Sequence, residues 1–274
     1  MRVAFVSPMQ KEMPPESEVN LEFARSASGD ELKALVHEPA EKLLLALLEN
    51  PNIEETHVTQ LLDRLDLTSN VLSAIAAEGK WTSSEAVRLR LARHPRTPKR
   101  IALATVRHLY LFNLVRLSLL PSAPTDIKRV AEELIIARAP HLSVGEKLTL
   151  ARRGPARVAG ALLAEGHPQA MKLALDNAFL TESQVLKVLA KLGVPQRVVA
   201  AIAQHAKWSC QYNVRMALVR NPHTPVPSVL AFLPCLTGRD LNEIATLEDL
   251  APHLRKYIQH ELVRRNDSAE NAAR

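Results

Sequence analysis

The sequence predicts an all-α protein built as an array of helical repeats, and three observations carry that prediction. Hydrophobic residues make up 47% of the 274 positions, yet aromatics are only 4% and glycines only 8. A core of Leu, Ala, Val and Ile with few rings suits close-packed helices, and scarce glycine leaves little for a turn-dense β architecture. Second, residues 43–98 lie on residues 170–225 without a gap at an offset of 127, with 19 of 56 pairs identical. Unrelated helices do not hold one register for so long, so the chain reads as an internal duplication. Third, one form recurs within each half, an apolar helix end followed by a break and a new helix start.

Taken in order, residues 1–28 contain "SPMQKEMPPESE" and show no period, which predicts a loose N-terminal arm. The ordered array is expected over 29–264, with halves at about 43–134 and 170–262, and the tail 265–274 is expected to fray. The breaks "ALLENPNIEE", "RLARHPRTPK", "IIARAPHLSV", "LALDNAFLTE" and "ALVRNPHTPV" have marker positions Pro51, Pro95, Pro140, Ala178 and Pro222, spaced by 44, 45, 38 and 44 residues. Fixed periods of this size mark arrays of about five units, none of which can bury its apolar face alone. Between breaks the spacing is helical, as in Val58, Leu61, Leu62 and Leu65, then Val185, Leu186, Leu189 and Leu192. Pro95 and Pro222 stop the preceding helices by disfavouring helical angles at the residue before them. Thr97-Pro98 and Thr224-Pro225 read as an N-cap hydroxyl followed by proline at the first helical position. Ser143 with Glu146, and Thr181 with Gln184, have capping-box spacing. Beyond the main match, 123–135 echoes 251–263 with the register one residue out.

The string Val-Arg-x-x-Leu-x-Arg-x-Pro-x-Thr-Pro at Val87 to Pro98 and Val214 to Pro225 resembles the unit of the leucine-rich repeat variant proteins, and 46–54, 136–143 and 173–181 resemble it in part. The resemblance implies a right-handed α-solenoid related to HEAT-type superhelices, of an uncharacterised bacterial type. Some members of that family carry a cysteine cluster for an iron–sulfur centre. Here Cys210 and Cys235 stand alone, 25 residues apart, so no cofactor is expected.

Charge is uneven. Residues 1–80 hold 7 basic and 14 acidic residues, a balance of −7, while 81–274 hold 28 basic and 15 acidic, a balance of +13. Such a step reads either as scatter over solvated helix faces or as a basic surface for an acidic partner. Arg90, Arg96, Lys99, Arg100, Arg152 and Arg153 form the candidate basic face, because most of these cations have no counterpart in the other half. Arg93 and Arg220 do recur, in the last turn before a break, where a cation meets the negative helix end; they are read as structural, as are Trp81 and Trp208, large rings suited to packing between repeats.

No chemistry-bearing constellation emerges. The ten His are scattered without an H-E-x-x-H, and no nucleophile elbow, P-loop or dinucleotide fingerprint is present. Neither a catalytic residue nor a metal site is expected. The opening "MRVAFVSPMQ" is too short an apolar run for a signal peptide, and no 18-residue apolar stretch exists. The expectation is therefore a reduced, cytoplasmic, non-enzymatic scaffold that binds a macromolecular partner, foremost a protein. Nucleic-acid binding through phosphate contacts is the competing reading. A HEAT-like DNA glycosylase is a remote third, because no carboxylate stands out for it.

Overall fold

The structure, a computed structural model, describes residues 16–247, 250 and 252–272. Among these residues the chain is all-α, with helices and turns and no strand. It divides into two compact units, the division falling between Ala131 and Glu132. The first contains α1 Glu16–Ser26, α2 Asp30–Leu35, α3 Glu41–Leu48, α4 Glu55–Leu62, α5 Ser69–Ala77, α6 Gly79–Thr82, α7 Glu85–Arg93, α8 Lys99–Val106, α9 Leu111–Leu119 and the start of α10 Thr125–Arg138. The second holds the end of α10, then α11 Val144–Arg153, α12 Ala156–Glu165, α13 Pro168–Leu175, α14 Glu182–Ala190, α15 Gln196–Gln204, α16 Ala206–Ser209, α17 Tyr212–Arg220, α18 Val226–Phe232, α19 Gly238–Ala245 and α20 Pro252–Ala272. Each of the six helices α3 to α8 begins 127 residues before its counterpart among α13 to α18.

Packing runs from each helix to near neighbours, α4 on α7 and α7 on α8 in the first unit, α14 on α17 and α17 on α18 in the second. The helices are short, most of them two or three turns, and helices of that length are not stable by themselves in water. Burial holds them. Leu47, Val58, Leu61, Leu62, Val71 and Ile75 belong to one apolar cluster in the first unit, and Val185, Val198, Val199, Ile202, Val214 and Leu218 are buried in the second. Trp81 and Trp208 are buried at the equivalent places, 4% and 2% exposed. The indole Nε1 of Trp208 donates to the Leu175 carbonyl at 2.9 Å. A lysine ammonium lies over each ring, Lys80 at 4.3 Å and Lys207 at 4.2 Å from the centroid.

The helix ends follow the sequence in part. His94 and Asn221, which precede Pro95 and Pro222, have extended ψ angles of 128° and 121° and end α7 and α17. Ser143 and Glu146 make a full capping box; Thr181 caps α14 by accepting from the Gln184 N–H. The two threonines before proline depart from expectation. Pro98 and Pro225 are themselves the caps, their carbonyls accepting from Ile101 and Ala102, and from Ser228 and Val229. Thr224 is buried and turns its hydroxyl backwards, donating to the Leu218 carbonyl at 2.6 Å. It thus satisfies the end of α17, whose last carbonyls have no helical partner. Thr97 is buried in the same place.

Helices occupy part of both stretches expected to be loose. The stretch expected as an arm, 1–28, includes helix α1, with Ala24 and Ala27 buried against the first core; residues 1–15 lie outside the described residues. At the other end α20 continues through 265–272. Arg265 anchors it there, donating to the carbonyls of Leu233 and Leu236 at 2.7 and 2.8 Å and to Glu261 at 2.9 Å. Residues 273–274 lie outside the described set.

Candidate partner-binding surface

A polar side chain closes four of the five breaks. Asn50 is buried, and its Nδ2 donates to the carbonyls of Ala24 and Ala27 at 2.8 and 3.0 Å while its Oδ1 accepts from the Asn52 N–H. Asn177 repeats every bond 127 residues on, with Ala151 and Gly154 at 2.8 and 3.1 Å and the Phe179 N–H. The amide therefore occupies carbonyls at the end of an earlier helix, α1 or α11, and pins the turn that follows. His94 and Asn221 do the same work one break later. His94 Nε2 meets the Arg64 carbonyl at 2.7 Å and its Nδ1 accepts from the Arg96 N–H, which makes the ring neutral with its hydrogen on Nε2. Burial, with Arg96 and Arg93 nearby, lowers its pKa.

The cations nominated as a basic face divide into engaged and unengaged groups. Arg90 donates to Asp63, with Nε 3.1 Å from Oδ1, and Arg93 pairs with the same carboxylate. Arg96 donates to the Asp66 carbonyl at 2.9 Å, and Lys99 pairs with Asp126. Three of the six nominated cations, Arg90, Arg96 and Lys99, thus have partners within the first unit. Their partners are unmatched as well. In the second unit Asp63 and Arg90 are replaced by Ala190 and Ala217, and Lys99 and Asp126 by Val226 and, in the shifted register, Leu254. Arg93 and Arg220 also differ from expectation, meeting carboxylates of neighbouring helices rather than their own helix end; Arg220 donates to Glu243 at 2.9 Å. Arg100, Arg152 and Arg153 are exposed and make no ion pair among the described residues.

Carboxylates tie other layers together. The Arg64 guanidinium hydrogen-bonds Asp66 and holds its carboxyl down at about 2. Burial raises the Glu85 carboxyl, but hydrogen bonds from Asn113, Arg88 and the Tyr110 N–H outweigh it and keep it below the usual range. These are structural charges, each facing a donor of its own unit.

A concave feature recurs at the same offset. In the first unit Leu62, Asp63, Leu65, Arg93, His94 and Pro95 line a cavity of about 300 Å³. In the second Leu189, Ala190, Leu192, Arg220, Asn221 and Pro222 line one of about 400 Å³. A leucine stands at the rim of each with its side chain in solvent, Leu65 at 70% and Leu192 at 96% exposure. In both loops the residue two places on, Leu67 or Val194, is buried as the anchor. Gly193 has φ +76°, the left-handed region that favours glycine, and it makes the turn that carries Leu192 outward. No family model matches the chain, and neither a curated protein nor a solved structure does.

The alignment of the halves contains Leu65 and Leu192 as an identical pair, but apolar spacing counts both as core-facing positions. Their exposure follows from the helices ending at Leu62 and Ala190, before these leucines are reached. Among the described residues no group of three or more His, Cys, Asp or Glu could hold a metal ion, and no helix is long and apolar enough to cross a membrane.

Proposed function

We propose that the protein is a non-catalytic helical-repeat scaffold that holds a protein partner, and that its two units are copies of one repeat block in the right-handed solenoid arrangement implied by the leucine-rich repeat variant resemblance. The observation that carries this reading is the recurrence of a cavity with an exposed leucine at its rim. Single exposed leucines are ordinary on protein surfaces. A leucine kept in solvent at the same register of two diverged copies is not required by either core, and contact with another protein gives it a use. Extended helical arrays commonly serve to present such surfaces.

Purifying the full chain from its native host tests the reading. A protein recovered in stoichiometric amount, retained after nuclease treatment and at high salt, is the expected outcome. Recovery of nucleic acid alone, lost steeply as salt rises, would contradict it. That second reading has a specific basis in Arg100, Arg152 and Arg153, which are exposed and unengaged.

A further inference from the structure

In the first unit the Asp63–Arg90 ion pair lies beside the cavity, and Asp63 lines it. At the same register in the second unit both members are alanine, and both Ala190 and Ala217 line the larger cavity. Losing Asp63 alone would have left both Arg90 and Arg93 without the carboxylate they share. Losing both pair members leaves an apolar floor. The fixed charges around that floor are of one sign. Lys191 and Arg220 line the cavity, and no lining residue is acidic. Glu243, outside the lining, engages one Nη of Arg220, and a guanidinium has five N–H donors in all.

We infer that the Ala190–Ala217 cavity of the second unit is a docking site for a protein segment that presents an aliphatic side chain next to an aspartate or glutamate. The aliphatic group fills the space over the two alanines and packs on Leu192. The neighbouring carboxylate meets Arg220 and Lys191 at the rim, where a partly desolvated cation makes a charge-assisted hydrogen bond. The first unit does not bind the same segment, because Asp63 repels the carboxylate and the ion pair takes up the space. This inference rests on the scaffold reading and narrows it to one site and one partner chemistry.

The test is selection of a displayed random peptide library on the full chain, followed by affinity measurement on wild type, on Ala190→Asp/Ala217→Arg and on Leu192→Ser. The double variant rebuilds the first unit's ion pair in the second. Enriched peptides are expected to share an aliphatic residue beside an acidic one. They should bind each variant at least tenfold more weakly, and lose a similar factor when the acid is changed to its amide. Leu192 is exposed, so Leu192→Ser keeps the test valid if the double variant does not fold. Three outcomes overturn the proposal: no enrichment, peptides without an acidic residue, or equal binding to folded variants. A dimer of the wild type dissolved by Leu192→Ser also overturns it, in favour of a second copy as occupant. If the partner recovered from the host still binds the folded double variant, the cavity falls and the scaffold reading stands.

Discussion

Arg90 and Asp63 meet across α7 and α4 at 3.1 Å, and the two positions that correspond to them in the second unit, Ala217 and Ala190, are also a matched pair. The two units therefore use alternative solutions at one packing junction, a charged one and an apolar one. Converting the first into the second should be tolerated. Asp63→Ala/Arg90→Ala is expected to cost less than about 1 kcal/mol, since both side chains are partly exposed and such pairs contribute little. A double-mutant cycle by chemical denaturation measures this. A loss of several kcal/mol would show that the first unit depends on the ion pair.

The asparagine bridge should be far less tolerant. Asn177→Ala removes two donors from the carbonyls of Ala151 and Gly154 in a buried setting. Each buried group left without a partner costs about 1–3 kcal/mol, so the expected loss is about 2–4 kcal/mol. Asn177→Asp should be worse, because a carboxylate cannot donate and would be buried facing two carbonyl oxygens. Equilibrium denaturation of both variants checks the order as well as the size.

His94 gives the first unit a pH dependence. Burial comes first among the causes that lower its pKa from the ordinary 6.5, then Arg96 and Arg93, against the raising influence of the Arg64 carbonyl and of Asp66. The unfolded chain thus binds the proton more tightly than the folded one, and stability rises with pH between the two pKa values. The contribution is intact above about pH 6.5 and is lost as pH falls towards the lower folded value. His94→Asn copies the second unit's Asn221, so it should remove this component while keeping the bridge. Denaturation midpoints of wild type and His94→Asn between pH 7.5 and 5 decide the point; parallel curves would exclude His94 as the source.

The helix starts were legible because their signals are local. Ser143 with Glu146 and the 127-residue register both map onto observed elements. Thr224 misled because a hydroxyl before a break can also bond back to the helix it follows, as it does to the Leu218 carbonyl; the buried Thr97 hydroxyl caps neither helix. Helix α1 escaped because it docks through two small residues, Ala24 and Ala27, and through backbone carbonyls offered to Asn50, which leave no apolar period. The partners of the basic residues were illegible for a related reason. Asp63 and Asp126 lie 27 residues from Arg90 and Lys99, on neighbouring elements, and a charge count along the chain cannot see partners across a layer. The absence of both pair members from the second unit was visible in the sequence, but its meaning depended on knowing that they touch.

The cavity beside Leu192 is the proposed seat of a protein segment. The most direct measurement places a photo-crosslinking amino acid at position 192 of the full chain in its native host, with and without Ala190→Asp/Ala217→Arg, and identifies the products by mass spectrometry. The account predicts a crosslink to one protein, at a stretch where aliphatic and acidic residues are adjacent, and its loss in the double variant. A crosslink to nucleic acid, or a protein crosslink of equal yield in the folded double variant, would contradict it.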